Sequence, residues 1–106
     1  MKSVLLAVMI SMGLMAGCTW VEPTTSGEKV RVLAADEVTK CEKLGSTTSQ
    51  VLATVGGVAR SEKKVAEELE TLARNSAADM GGDTIVPVSE VVEGKRSFNI
   101  YRCVPR

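Results

Sequence analysis

The clearest pattern in the chain is a run over 61–80 whose apolar residues recur at the 3.6-residue spacing of an amphipathic helix. The apolar positions of this run are Val65, Leu69, Leu72, Ala73, Ala77 and Met80. Ser61 has the side chain of a helix N-cap, and Gly81-Gly82 permit the left-handed backbone at which many helices end. The sequence therefore predicts one helix over 61–80 that buries a single face.

The charged residues of this run lie mainly on its other faces. Glu70 and Arg74 have the order and spacing of a stabilising i,i+4 pair. Glu67 and Glu68 are adjacent and diverge on a helix, so we expect them to form a charged outer face rather than a shared site.

Runs with the alternation or the β-branched content of strands flank the predicted helix on both sides. They cover 30–33 and 46–55 before it, and 84–92 and 96–104 after it. Over 36–44, apolar residues three apart predict one helical turn that Gly45 ends. The order β-β-α-β-β predicts an α+β fold, in which a small antiparallel sheet of about four strands packs on one main helix.

Two features of the last strands predict how the sheet meets the helix. Phe98 and Ile100 fall on the same strand face, so we expect both to contact the helix. Pro87 has no N–H group to donate, so we expect it at a sheet edge or at a bulge.

The N-terminus has a different pattern. After Met1-Lys2, the 15 residues 3–17 are uncharged and mostly apolar, fewer than the roughly 20 that span a bilayer as a helix. A secretory signal fits this length. The residues Leu-Met-Ala-Gly before Cys18 resemble the bacterial lipobox, which precedes a lipidated cysteine. We expect a lipoprotein signal peptide over 1–17, a lipidated N-terminus and extended tether over 18–29, and a small domain over 30–106. A secretory signal without lipid and an uncleaved anchor are the alternatives.

The lipobox resemblance implies acyl chains such as palmitate on Cys18, which would attach the protein to a membrane. Thr19 is not the aspartate that commonly retains lipoproteins in the inner membrane, so the sorting rule implies the outer membrane, facing the periplasm. Trp20 suits the membrane interface, with a partner contact or an incidental exposed ring as the alternatives.

Two further cysteines remain if Cys18 carries lipid. In an oxidising compartment, Cys41 and Cys103 would form one disulfide. The bond would close a loop of roughly 60 residues and contribute about 4 kcal/mol in the chain-entropy model. Two separate buried thiols are the alternative.

Composition excludes several functions. The chain has 13 Lys and Arg, 13 Asp and Glu, no histidine and three aromatic residues. No Ser-His-Asp triad and no histidine metal ligand can exist, and nucleic-acid binding lacks its basic face. Gly56-Gly57 lacks a phosphate-loop motif, and Asp79 and Asp83 lack a calcium-loop pattern. We therefore expect no enzymatic activity, no cofactor and no bound metal.

Several stretches together resemble a family of small bacterial lipoproteins classed as domain of unknown function 4156. They are the lipobox, CEKLG over 41–45, the helix and strand over 68–88, and the terminal 101–103. More distantly, 77–86 resembles the C-terminal domain of the envelope-stress lipoprotein RcsF, which implies a disulfide-stapled α+β fold. RcsF has four domain cysteines, whereas this domain has only Cys41 and Cys103.

These observations lead to an expected function. We expect a non-catalytic, membrane-anchored periplasmic lipoprotein that binds another cell-envelope component. A stress or signalling sensor resembling RcsF is the alternative, and an enzyme or carrier of a small periplasmic molecule is a third.

Overall fold

One helix packed on a four-stranded sheet forms the structure, a computed structural model that describes residues 21–104. The helix is α1 (Glu62–Asp79). The strands are β1 (Arg31–Val32), β2 (Glu42–Gln50), β3 (Thr54–Val55), β4 (Val58–Ala59), β5 (Thr84–Pro87) and β6 (Lys95–Arg102), with short 3-10 turns at Gly27–Lys29 and Ala35–Glu37. The predicted α+β class with one main helix is confirmed. The predicted signal peptide 1–17, Cys18 and Trp20 lie outside the described residues.

The sheet is mixed, whereas the sequence analysis expected an antiparallel one. Its strand order is β1-β5-β6-β2, with β5 and β2 both antiparallel to β6. β1 instead runs parallel to β5. The chain between β1 and β2 crosses from one edge of the sheet to the other. β3 and β4 form a separate two-stranded hairpin.

β2 begins earlier and ends earlier than the predicted strand 46–55. It pairs with β6 from Glu42 opposite Arg102 to Gln50 opposite Lys95. The spacing over 36–44 predicted a helical turn, but the end of this range belongs to β2. The helical part of the region is the 3-10 turn Ala35–Glu37. The register shifts between Lys43 and Gly45, so Leu44 forms a bulge and packs against the core.

The helix follows its predicted bounds closely. The Ser61 hydroxyl accepts the Lys64 N–H at 3.4 Å as the N-cap. Beyond the last helical residue, the Gly82 N–H bonds to the Ala77 carbonyl at 2.7 Å. The buried positions are Val65, Leu69, Ala73 and Ala77, all on the predicted apolar face.

The core lies between this face and the sheet. Phe98 and Ile100 are buried with Ile85 against Ala73 and Ala77, which confirms the predicted contact. The two alanines are small and fully buried, so the helix can approach the sheet closely.

Pro87 is the last residue of β5. β1 pairs only with the first two residues of β5, so among the described strands Pro87 has a neighbour on one side only. On its other side no described strand accepts a hydrogen bond from position 87, so the missing N–H of proline costs nothing there.

Candidate functional site

A disulfide joins Cys41 and Cys103 where β2 begins and β6 ends. Their Cα atoms are 4.4 Å apart. The predicted pair is therefore confirmed, and it lies just beyond the ends of two paired strands. Beside it, Arg102 Nη1 and Glu42 Oε2 form an ion pair at 3.4 Å. Both cysteines are half-buried.

The carboxylate of Asp83 holds the backbone beyond β6. Asp83 Oδ1 accepts the N–H of Cys103 at 2.8 Å, and Oδ2 accepts the N–H of Val104 at 2.9 Å. The Thr84 hydroxyl donates to Oδ1 at 2.9 Å. Partial burial raises the pKa of Asp83, but these hydrogen bonds outweigh it and hold the pKa below its ordinary value. Asp83 is thus a structural acceptor that fixes the segment carrying the disulfide.

Two adjacent helix residues hold the N-terminal segment 22–30, an arrangement that we call the N-terminal clamp. Asn75 accepts the Thr24 N–H at 2.9 Å and donates to the Glu22 carbonyl at 3.1 Å. Arg74 donates to three backbone carbonyls at 2.7–3.2 Å, those of Gly27, Glu28 and Val30.

Close packing supports the clamp at both ends of the 3-10 turn. Gly27 is buried, and an added Cβ atom there would lie 3.2 Å from the Asn75 Cα atom. Val30 is 5% exposed and belongs to the core cluster. The described part of the predicted tether 18–29 is therefore docked on the helix and belongs with the folded domain.

A half-buried ion pair ties the β3–β4 hairpin to the helix. Arg60 donates through Nη1 and Nη2 to the two carboxylate oxygens of Glu68, and the two side chains are 14% and 12% exposed. Arg60 also donates through its backbone N–H to the Ala53 carbonyl at 2.9 Å and through Nη1 to the Leu52 carbonyl at 3.0 Å. The expectation that Glu68 lies on a charged outer face is wrong, because this contact turns it toward Arg60.

A groove of about 510 Å³ opens between the hairpin, the start of α1 and the connection from β5 to β6. Its apolar lining comes from Ala53, Ala59, Val65, Ala66 and Val91. The carboxylates that line it beside the Arg60 site are Glu62, Glu90 and Glu93.

Exposed apolar side chains lie on the segments that border this groove. Leu52 is 70% exposed, Val55 53%, Val58 69% and Val92 62%. Three of the four lie in or beside the hairpin, whose turn at Gly56-Gly57 has φ values of 59° and 80°. We call these four residues together with the groove the hairpin surface. Gly56-Gly57 forms the turn between β3 and β4.

Local sequence patterns predicted neither the hairpin surface nor the clamp. The contacts of Arg60 and Arg74 depend on the folded chain, and Arg74 contacts the backbone over 44 or more residues of sequence rather than the expected Glu70. Isolated valines around Gly56-Gly57 were the only local signal of an exposed apolar hairpin.

Within residues 21–104, no helix is long and apolar enough to cross a membrane. The same residues contain no group of three or more acidic, cysteine or histidine side chains arranged to hold a metal ion.

The family model described as a domain of unknown function (DUF4156) matches residues 21–103. No curated protein and no solved structure matches the chain.

Proposed function

The chain belongs to the DUF4156 family, a domain of unknown function, and on that premise we propose that it is a non-catalytic, lipid-anchored protein of the bacterial cell envelope. The anchor is Cys18, preceded by the lipobox-like residues Leu-Met-Ala-Gly. Thr19 favours the outer membrane, with the domain facing the periplasm. The protein acts by binding another envelope component through the hairpin surface.

The observation that carries the binding proposal is the exposure of apolar side chains around one groove. Single exposed apolar residues are common, but several on neighbouring segments are typical of an interaction surface. Leu52 and Val58 each expose about 70% of their surface. The volume of the groove, about 510 Å³, lies within the roughly 300–1,000 Å³ range of ligand sites.

The charges at the groove favour a partner with apolar and basic groups. Arg60 is paired with Glu68, so the guanidinium is already neutralised. Glu62, Glu90 and Glu93 are exposed carboxylates. A positive group on the partner would complement them.

The Cys41–Cys103 disulfide supports an oxidising compartment, because such bonds are rare in the cytosol. It also supports the idea of a small domain that is stabilised to present a surface.

Site-specific photo-crosslinking in intact cells tests this function. A photoreactive amino acid at Val58 should give one discrete adduct in the membrane fraction, and the same amino acid at exposed Lys40, outside the groove, should not. Glu90→Lys combined with Glu93→Lys should reduce the Val58 adduct. Equal adducts at both positions, or an adduct indifferent to charge reversal, would refute binding through this surface.

Mass spectrometry of the mature protein from fractionated membranes tests the anchor separately. We expect a protein that begins at Cys18 and carries acyl chains in the outer-membrane fraction. An unprocessed chain in the soluble fraction would contradict the location.

The half-buried disulfide favours a second candidate, an envelope-stress or signalling sensor. In that case the thiol state of Cys41 and Cys103 would change the output of the protein. Replacing both cysteines with serine should then alter a transcriptional response to envelope damage. An unchanged response with a folded double variant would exclude the sensor.

A further inference from the structure

The N-terminal clamp shortens the chain between the domain and the anchor site. Glu22 is the first clamped residue, and it lies four residues after Cys18. Four extended residues span at most about 14 Å, whereas the twelve residues from Cys18 to Val30 would span about 40 Å if they were free. We infer that the clamp holds the domain against the lipid surface, so that the side from which Glu22 leaves faces the bilayer headgroups. This inference rests on the proposed anchor at Cys18.

The connection from Cys18 to Glu22, which we call the leash, is short compared with the width of the domain. A folded unit of about 84 residues has a radius of gyration of about 12 Å and a width of about 30 Å. A leash of about 14 Å is shorter than that width. The domain therefore cannot turn its far side to the membrane while the clamp is closed, and one orientation is selected.

The contacts of the clamp oppose the release of segment 22–30 from the helix. Asn75 both donates to and accepts from the segment, and Arg74 supplies charge-assisted hydrogen bonds to three carbonyls. The segment also bonds to itself, since the Thr24 hydroxyl accepts the Gly27 N–H at 2.9 Å and the Thr24 carbonyl accepts the Glu28 N–H at 3.0 Å. The 22–30 segment is thus held along its length.

The charge of the clamped segment does not explain why this side of the domain would face the membrane. The exposed charges of the clamped segment are Glu22, Glu28 and Lys29, which sum to a negative value. Anionic lipids attract basic segments, so this segment gains nothing from them. Proximity to the bilayer is set by the leash, and it should therefore be insensitive to salt.

The test uses the full lipidated protein in vesicles of phosphatidylethanolamine and phosphatidylglycerol. A donor fluorophore is placed at exposed Glu67, about two helical turns before Asn75, and acceptors are placed on lipid headgroups. Opening the clamp with Arg74→Ala plus Asn75→Ala should raise the label above the headgroups by on the order of 10 Å. Amide exchange at Thr24 and Val30 should accelerate by about tenfold or more. Neither value should depend on salt.

Two further variants separate the clamp from general damage to the fold. Ser76→Ala lies beside the clamp on the helix and should change neither height nor exchange. A Gly-Ser insertion of about ten residues after Trp20 leaves the clamp intact, so it should raise the label without accelerating exchange.

The outcomes distinguish the inference from the function on which it rests. Equal heights for the wild type and the insertion variant, with lipid on Cys18, would overturn the inference and leave the anchor standing. The inference would also be overturned if amide exchange accelerated in the Arg74→Ala plus Asn75→Ala variant while the label stayed at the same distance from the headgroups. Absence of lipid on Cys18 would overturn the anchor and the membrane contact together.

Discussion

The Asp83 carboxylate accepts the backbone N–H of Cys103 at 2.8 Å, so a charged acceptor and the disulfide stabilise the same end of the sheet. The acceptor comes from the loop after the helix, and the disulfide links Cys103 to Cys41, the residue before the outer strand β2. The end of β6 is therefore fixed from two sides.

The first prediction concerns pH. The pKa of Asp83 is lower in the folded chain than in the unfolded chain, so its contribution to stability is present above the unfolded value of about 3.9 and is lost as pH falls through the folded value. Asp83→Asn should lower the free energy of unfolding by about 1–2 kcal/mol at neutral pH. Urea denaturation should show this difference shrinking below about pH 4. The exposed Asp79→Asn is the control, and an equal loss there would contradict the assignment.

The second prediction concerns the disulfide. Replacing Cys41 and Cys103 by serine frees a loop with a sequence separation of 62 residues. The free energy of unfolding should fall by about 4 kcal/mol, a large share of what a small domain has. Chemical denaturation of the oxidised protein, the reduced protein and the double variant measures it. A reduced wild type as stable as the oxidised protein would contradict the prediction.

The third prediction concerns the Arg60–Glu68 pair. Glu68→Gln leaves a largely buried guanidinium without its counter-charge, so the free energy of unfolding should fall by about 2–4 kcal/mol. Amide exchange in the hairpin should accelerate, because Arg60 also holds the Ala53 and Leu52 carbonyls. Glu67→Gln, at an exposed neighbouring position, should change neither quantity. Similar losses in both variants would mean that the pair does not anchor the hairpin.

The fourth prediction separates the surface from the core. Val65 lines the groove and is 4% exposed, whereas Val58, which precedes the groove-lining Ala59 in β4, is 69% exposed. Val58→Ser should change the free energy of unfolding by less than about 0.5 kcal/mol. Val65→Ser replaces one methyl group by a buried hydroxyl and removes the other from a packed position, so it should cost about 2–3 kcal/mol. A large loss at Val58, measured by thermal and urea denaturation, would place that residue in the core instead.

Local patterns predicted the parts of the fold that depend on local physics. The spacing of Val65, Leu69, Ala73 and Ala77 gave the helix and its buried face, because a helix buries residues at a fixed interval. Cys41 and Cys103, the two cysteines outside the lipobox-like segment, predicted the disulfide. These signals need no knowledge of the rest of the chain.

The remaining features depend on partners that are distant in sequence. β1 has only two residues, and its parallel pairing with β5 is decided across more than fifty positions. Arg74 was assigned to Glu70 because that pair is local, whereas its observed acceptors lie 44–47 residues away. The hairpin surface depends in the same way on Arg60 joining three segments.

The bulge at Leu44 has a consequence for crowded copies of the protein. β2 is the outer strand of the sheet and is nine residues long, a length that invites strand-by-strand pairing with a neighbouring molecule. The bulge interrupts the regular ladder, and the charged side chains of Glu42 and Lys43 precede it. Molecules that meet edge to edge would find a kinked and charged segment at this end of β2, which disfavours regular strand pairing there.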